Sequence, residues 1–432
     1  MATPQAGRRF GDNSRAMQDI EVVAAVIFAF ALLHTFAAKF FEQFALRHPR
    51  HAGLLHLLGE VEVVFGFWAF VLVAAIGLIA GGAKAIDYAE TRRYDEPLFV
   101  FVVMVVAASR PILEGIKAAL AIIASAVPAR KVLVQTWLCF ALVPLLGSLV
   151  TEPAAMTLAA LMLAPVVFRP GMPEWLKYGA LGVLFVNVSI GGTLTSFAAP
   201  PVLIVAATWN WDSAFMFATF GWKAAIAVLV NATGIVFLLH RQLVDATPSS
   251  AQADEPPVPF LVGAIHLAFL GAVVAFAHHP VIFVGLFLFF LGFTQAYARY
   301  QSPLLLKEGL LVGFFLAGLV VLGGLQQWWL QPIISGLGPL ALFFGAIGLT
   351  AIADNAALTY LGSLIEGMSE QARYMLMAGA VAGGGLTVIA NAPNPAGVAL
   401  LRKGFDAESI GVVGLLLGAL APTAVAAAMF LL

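Results

Sequence analysis

Two short segments of the chain place carboxyl, amide and hydroxyl side chains at the ends of long apolar runs. The first is Thr151-Glu152-Pro153 with Thr157, and the second is Asp354-Asn355 with Thr359. Aligned with each other, the segments superpose the two acids and the two threonines. An acidic side chain inside hydrocarbon is costly and marks a functional site by default. We interpret the two segments as copies of one ion- or proton-binding motif.

A glycine cluster with threonines follows each copy of the motif. The first cluster is Gly191-Gly192-Thr193-Leu194-Thr195 and leads to Pro200-Pro201, and the second is Gly383-Gly384-Gly385-Leu386-Thr387 and leads to Pro393-Asn394-Pro395. Such clusters interrupt a helix and leave backbone N–H and C=O groups unpaired, which lipid tolerates only where the segment lines a cavity or is buried in protein. The repeated order of acid, glycine cluster and prolines predicts an internal duplication.

Together these residues form a set of hard oxygen ligands suited to a small dehydrated cation. The negative C-terminal ends of interrupted helices add to the same field. Burial favours the protonated form of a carboxyl group, so an arriving cation can displace its proton. The candidate ion- and proton-binding residues are Thr151, Glu152, Thr157, Asn187, Gly191, Gly192, Thr193, Thr195, Asp354, Asn355, Thr359, Gly384, Gly385, Thr387, Asn391 and Asn394.

A second group of charges interrupts an earlier apolar run. Arg110 and Glu114 are four residues apart, on either side of Pro111. Residues with this spacing lie on one face of a helix, so the two side chains can pair across one turn. The spacing predicts an intramembrane charge pair. A pair that only stabilises helix packing is the alternative interpretation.

The composition predicts that membrane helices carry all of these residues. Of the 432 residues 61% are hydrophobic and only 10% are charged, and the mean hydropathy is +0.97. Since about 20 apolar residues cross a bilayer, the chain has material for roughly ten to twelve transmembrane segments. The predicted fold class is an all-α polytopic membrane protein. The formal net charge of −1 argues against a nucleic-acid partner, which would require a basic face.

One break in composition divides the chain into two halves. We predict a polar N-terminus at 1–19, a first transmembrane half at 20–241, a cytoplasmic linker at 242–259 and a second half at 260–432. Hairpins are predicted at about 132–168 and 332–368, and broken helices at about 178–208 and 373–401. The distribution of Lys and Arg places the two hairpins on opposite faces of the membrane, which is an inverted-topology repeat. Basic residues from Lys39 to Arg93 do not alternate between sides, so the N-terminal topology stays open.

The second motif resembles that of the ion transporter superfamily, which includes NhaD-type sodium/proton antiporters, arsenite permeases and divalent-anion/sodium symporters. The resemblance rests on 354–359 with 384–395, and on 187–195 with Ala199-Pro200-Pro201, which is similar to the family's NIGG…T…PPN signature. The resemblance covers residues 131–403. Within the superfamily, the chain is most similar to the bacterial sodium/proton antiporters. The resemblance implies re-entrant hairpins, discontinuous helices, a midplane site, alternating access and a homodimer in the bacterial inner membrane.

The first half departs from the family pattern at two places. Thr151-Glu152-Pro153 stands where antiporter relatives carry Asp-Asn, and Val202 stands where Asn follows the prolines. The second half keeps both the acid and the amides. The sequence therefore predicts that the first half binds more weakly, or differently, than the second.

These observations predict a secondary active transporter, not an enzyme, that exchanges sodium or a similar monovalent cation for protons. No nucleotide-binding loop, cofactor or resident metal is predicted, and the partners are the lipid bilayer, small cations and protons. Two alternatives stay open. One is a sodium-coupled symporter of a small anion such as a dicarboxylate, for which Arg110 or Lys117 would supply positive charge. The other is a non-transporting membrane scaffold or channel.

Overall fold

The computed structural model describes residues 4–243 and 256–432, and every regular element in these ranges is helical. The all-α fold class is confirmed. Most of the predicted linker at 242–259 falls on 244–255, outside the described residues. The α-helices are α1 Pro4–Arg47, α2 Ala52–Gly59, α3 Val61–Ala80, α4 Gly82–Glu90, α5 Asp95–Ala107, α6 Arg110–Ala126, α7 Lys131–Phe140, α8 Leu142–Val150, α9 Glu152–Leu163, α10 Glu174–Gly191, α11 Pro200–Trp209, α12 Ser213–Met216, α13 Trp222–Leu239, α14 Phe260–Ala275, α15 Pro280–Ala296, α16 Leu306–Gly323, α17 Gln327–Ser335, α18 Pro339–Thr350, α19 Asn355–Ser363, α20 Glu370–Gly383, α21 Asn394–Leu401 and α22 Val412–Leu431.

Several helices are long and apolar enough to cross a bilayer. Five spans meet this condition by length and composition: Gln18–Ala37, Glu62–Ala80, Ser213–Leu239, Leu306–Gly323 and Val412–Leu431. The number rises to seven if two bent pairs each count as one span, α5 with α6 (59°) and α7 with α8 (43°). The chain is a multi-pass membrane protein. The larger number of crossings expected from composition stays a prediction. Shorter apolar helices of 10–17 residues, among them α9, α11 and α18, also occur in the described residues.

Contacts divide the chain into two compact units. The first comprises Met1–Pro97, Leu310–Leu337 and Tyr360–Met368. The second comprises Leu98–Gly309, Gly338–Thr359 and Ser369–Leu432, and it contains every predicted ion-binding residue.

The first unit is built around a close crossing of α3 with α16. Gly318 allows the two backbones to touch, because a Cβ at that position would lie 2.5 Å from the carbonyl carbon of Phe65. Near the end of α16, Tyr88 donates a hydrogen bond to the carbonyl of Val321 at 2.5 Å. The carbonyl of Val321 lies in the last turn of α16 and has no donor within the helix, so the tyrosine hydroxyl satisfies it.

In the second unit, glycines let the helices approach at backbone distance. A Cβ on Gly182 of α10 would lie 2.5 Å from the amide nitrogen of Ala419 in α22. In α20, a Cβ on Gly383 would lie 2.7 Å from the carbonyl oxygen of Ile347 in α18. Small residues at helix crossings are the usual means of close packing in membranes. The crossing of α20 with α18 places the end of α20 beside the helix that precedes Asp354.

The helices end where the sequence places its glycines and prolines. Thr151, with a φ of 78°, separates α8 from α9, and residues 351–354 separate α18 from α19. The helix α10 ends at Gly191 and α20 at Gly383. Helical structure resumes fully only at α11 and α21, and both of these helices have proline in the first turn, where its missing N–H has no intrahelical partner to lose. The backbone N–H and C=O groups of these interrupted segments therefore lack partners within a helix and lie near other backbone groups inside the second unit.

Candidate ion-binding site

The Glu152 carboxyl group lies at the first residue of α9 and is fully buried. Its Oε2 accepts a hydrogen bond of 2.9 Å from Asn391 Nδ2. Its Oε1 has no hydrogen-bond partner in the described part of the chain, and the same is true of the buried Thr151 hydroxyl beside it. A buried polar oxygen without a partner costs free energy, so one that persists in a structure requires an explanation.

Gly192 makes room for this carboxyl group. A Cβ at Gly192 would lie 2.8 Å from the Cγ of Glu152 and would overlap its Oε1. Only glycine fits at this position without a shift of the acid. The first glycine cluster thus serves as one wall of the space around Glu152.

The second acid is held differently. Asp354 is half-buried and precedes α19, and its Oδ1 accepts hydrogen bonds from the backbone N–H of Ala356 (2.7 Å) and Ala357 (3.3 Å). This is the geometry of a helix N-cap, in which the helix dipole stabilises a carboxylate. Contacts connect the two motifs: Asn391, which bonds Glu152, lies three residues before Asn394, and Asn394 bonds the carbonyl of Gly384 beside Asn355.

Asn355, which follows Asp354, contacts the other half of the chain. Its Nδ2 donates to the Ser189 hydroxyl at 3.4 Å, and that hydroxyl donates to the carbonyl of Val381 at 2.8 Å. A Cβ on Gly384 would overlap the Ser189 hydroxyl and lie 3.0 Å from Asn355 Nδ2. The second glycine cluster thus adjoins Asn355 as the first cluster adjoins Glu152.

Three amide side chains around the two acids share one polarity. Asn391 donates to Glu152, Asn355 donates to Ser189, and Asn394 donates to the carbonyls of Gly384 (2.8 Å) and Thr387 (2.9 Å). Each amide thus has its NH₂ group occupied and its oxygen without a partner in the described residues. Ten buried side-chain oxygens have no partner in the described residues, and six of them lie in or beside the two acidic motifs and the second proline segment: Thr151 Oγ1, Glu152 Oε1, Thr350 Oγ1, Asn355 Oδ1, Asn391 Oδ1 and Asn394 Oδ1.

A threonine ties each interrupted segment to the end of the adjoining helix. Thr195 donates to the carbonyl of Ser148 at 2.6 Å, and Thr387 donates to the carbonyl of Ala351 at 2.8 Å. Both threonines have extended backbone angles at the point where helical structure is lost. These hydrogen bonds satisfy carbonyls at helix ends and hold the interrupted segments against the acidic motifs.

Three other residues of the predicted site donate their polar hydrogens to carbonyls outside the two acidic groups. Asn187 donates to the carbonyl of Phe140 at 2.8 Å, and its oxygen accepts from Asn231 Nδ2 at 2.9 Å. Pro144 cannot donate to Phe140 from the next turn, so Asn187 satisfies a carbonyl that proline leaves free. Thr193 and Thr359 donate to carbonyls of their own helical turns, at 2.7 Å and 3.0 Å.

The remaining predicted residues shape the packing around the site. Thr157 is half-buried on α9. A Cβ on Gly191 would lie 2.6 Å from the carbonyl oxygen of Pro144, and one on Gly385 would lie 2.5 Å from the backbone nitrogen of Val186. Both glycines allow backbone contact between elements rather than direct contact with an acid.

The predicted charge pair in α6 has the following contacts. Glu114 accepts an ion-pair hydrogen bond of 2.9 Å from Lys117, three residues on. Arg110 donates to the carbonyl of Pro256 at 2.9 Å. These two contacts are made within the helix itself and with the segment that precedes α14, and the Arg110–Glu114 pair stays a prediction.

Sequence reasoning missed several polar residues around the site, including Ser189, Ser148, Asn231 and Thr350. Ser189 and Thr350 lie within or beside the motifs, but a single hydroxyl in a membrane helix is more often a packing residue. Ser148 accepts from the backbone N–H of Leu194 (2.9 Å) and donates to the carbonyl of Gly191 (2.6 Å). For Ser189, the available signal was a polar residue in an apolar run two positions before a glycine cluster.

An all-helical membrane protein that buries acids, amides and hydroxyls among apolar helices has the architecture of a membrane transporter. Residues 19–432 match the model of the family described as "Putative Na+/H+ antiporter". The chain belongs to this family. The family is one of transporters and not of enzymes, its description names Na⁺ and H⁺ as the ions exchanged, and it implies no cofactor. No curated protein sequence matches the chain.

Proposed function

We propose that the chain exchanges Na⁺, or a similar small monovalent cation, for protons at the six unpartnered oxygens around Glu152 and Asp354. The observation that supports this most strongly is the common polarity of the three amides. Asn355, Asn391 and Asn394 each donate through nitrogen to the protein and leave the oxygen, the atom that binds a cation, without a partner. Carboxylate, carbonyl and hydroxyl oxygens are the ligands that hard cations prefer.

In this proposal the two acids have different tasks. Asp354, as an N-cap that accepts two backbone N–H groups, supplies a lasting negative charge. Glu152 is removed from water, and a buried carboxylate is stable only with a positive partner. Glu152 therefore holds a proton when the cation is absent and releases it when the cation binds. Exchange follows because the site cannot keep both positive charges.

We further propose the architecture that such exchange requires. The two halves form an inverted-topology repeat, consistent with the ion transporter superfamily, with the hairpins and broken helices at the predicted bounds. The matching roles of Thr195 and Thr387, and of Gly192 and Gly384, support a duplication. The proposed setting is the bacterial inner membrane, with the protein as a homodimer that alternates access between the two sides.

The proposal is tested with purified protein in liposomes that enclose a pH-sensitive dye and an acidic lumen. We expect external Na⁺ to make the lumen alkaline, and Li⁺, K⁺ and choline added at equal ionic strength show which cations share the site. The double variant Glu152→Gln with Asp354→Asn keeps the volume of both side chains and serves as the inactive control.

Two results would contradict the proposal. The first is a lumen pH that responds to none of the cations while the protein is folded and oriented. The second is Na⁺-dependent uptake of succinate without proton movement, which would favour the anion symporter.

A further inference from the structure

Ser189 lies on α10, near its end, and is fully buried. It donates to the carbonyl of Val381, a residue of α20 that follows it by 192 positions, at 2.8 Å. A serine that only packs in a membrane helix commonly bonds the carbonyl of its own preceding turn. Ser189 instead bonds a different helix, at the level of Asn355.

The hydroxyl group has a single proton, and this proton is committed to Val381. Toward Asn355 the Ser189 oxygen can therefore act only as an acceptor. An amide that faces an acceptor must present its nitrogen, which is the observed contact of 3.4 Å with Asn355 Nδ2. The opposite orientation of the amide would place two lone pairs against each other. Ser189 thereby determines which end of the amide points away from it.

The end that points away is the oxygen, which is buried and has no partner in the described residues. Gly384 holds this arrangement, since a Cβ there would overlap the Ser189 hydroxyl and crowd Asn355. The position is also asymmetric between the halves. Asn391 has its orientation determined by the Glu152 carboxyl group, whereas Asn355 depends on a hydroxyl group.

We propose that Ser189 is a positioning residue for cation binding, which orients the Asn355 amide so that its oxygen faces the transported cation. This inference rests on the proposed function. Loss of the Ser189 acceptor allows the amide to rotate and to present its NH₂ group, which repels a cation. The residue acts through Asn355 and does not itself contact the ion.

The experiment is a double-mutant cycle of Ser189→Ala with Asn355→Ala, measured as the apparent KM for Na⁺ in the proteoliposome assay. We expect Ser189→Ala to raise the apparent KM about fivefold to tenfold, the usual size of one lost hydrogen bond, while the maximal rate changes less than about twofold. In the Asn355→Ala background the same change should have no further effect. Residues that act through one another show such non-additivity.

Thr294→Val is the matched control. Thr294 is also buried in the second unit and donates only to a carbonyl of its own helix, Leu291, among its described contacts (2.8 Å). We expect the control to leave the apparent KM for Na⁺ unchanged. An equal rise in the apparent KM for Ser189→Ala and Thr294→Val would overturn the positioning role, because the effect would then come from general packing of buried hydroxyl groups.

Other outcomes also decide the inference. Multiplicative effects of the two changes, or an unchanged KM in Ser189→Ala, would overturn it while exchange by the wild type still supports the proposed function. A wild type without cation exchange would overturn the proposed function itself.

If Asn355→Ala is inactive, Asn355→Asp replaces it in the cycle, since a carboxylate presents an oxygen in either orientation and should make Ser189 dispensable. If Ser189→Ala does not fold, Ser189→Cys, a weaker acceptor of similar size, is used in its place.

Discussion

The two acidic motifs differ more in their surroundings than in their sequence. Glu152 is fully buried, and it bonds an amide from the far half of the chain through one oxygen. Asp354 is half-buried, and it bonds the backbone of its own helix. The described hydrogen bond of the first acid thus comes from long-range packing, and those of the second come from its local sequence.

This contrast gives each half a distinct part in exchange. The sequence predicts that the Asp354 half is the stronger of the two, because it keeps the family pattern. The contacts add that the Glu152 half has the acid whose charge is hardest to sustain, and we therefore assign it the proton. Both assignments are open to direct test by substitution, and the following predictions proceed from the largest effect to the smallest.

Glu152→Gln should abolish exchange. Glutamine has the shape of the protonated acid but cannot release a proton, and the loss of a proton-transferring group costs about a hundredfold or more in rate. The measurement is the Na⁺-induced change of lumen pH. Retention of a tenth of the wild-type rate, with normal expression, would contradict the assignment of the proton to Glu152.

Asp354→Asn should weaken cation binding and leave the fold intact. Asparagine is as good an N-cap as aspartate, so the melting temperature should stay the same, while loss of the charge should raise the apparent KM for Na⁺ about tenfold or more. Asp354→Ala is the comparison variant, because it removes the cap as well and should lower stability by a further ~1 kcal/mol. If the Asn and Ala variants unfold at the same temperature, the capping role is wrong.

Gly192→Ala should disturb the surroundings of Glu152, and Gly384→Ala should disturb the surroundings of Asn355. The added methyl groups overlap the Glu152 carboxyl and the Ser189 hydroxyl respectively, and overpacking of this kind costs about 1–3 kcal/mol. Gly285→Ala is the control, since nothing lies within 4 Å of a Cβ at that position. In thermal unfolding in detergent, Gly192→Ala and Gly384→Ala should have a lower melting temperature than the wild type. Gly285→Ala should have an unchanged or slightly higher one. Equal stability of all three would show that the glycines do not shape the site.

Much of the local structure could be predicted from the sequence, because glycine and proline act on the residues next to them. The helix ends at Gly191 and Gly383, and the loss of helix around Thr151, follow from composition within a few positions. The apolar content likewise predicted a helical membrane protein. Such properties depend on the backbone and on solvent, and both are visible in a short window of sequence.

Partner choice could not be predicted in the same way. Nothing local to Glu152 indicates that Asn391 will bond it, and nothing local to Asn187 indicates that its amide will satisfy the carbonyl of Phe140. These contacts depend on which helices pack together, and helix periodicity does not specify this. The polarity of the three amides likewise became visible only from the assembled contacts.

The hydrogen bond between Glu152 and Asn391 has a consequence for how the protein is made. The two residues are 239 positions apart, and at about 5–20 residues per second a ribosome needs on the order of tens of seconds to reach the second after the first. During that interval α9 is complete and its acid has no amide to bond. The nascent chain must therefore shelter Glu152, either as the neutral acid or in contact with water, until the second half of the protein arrives.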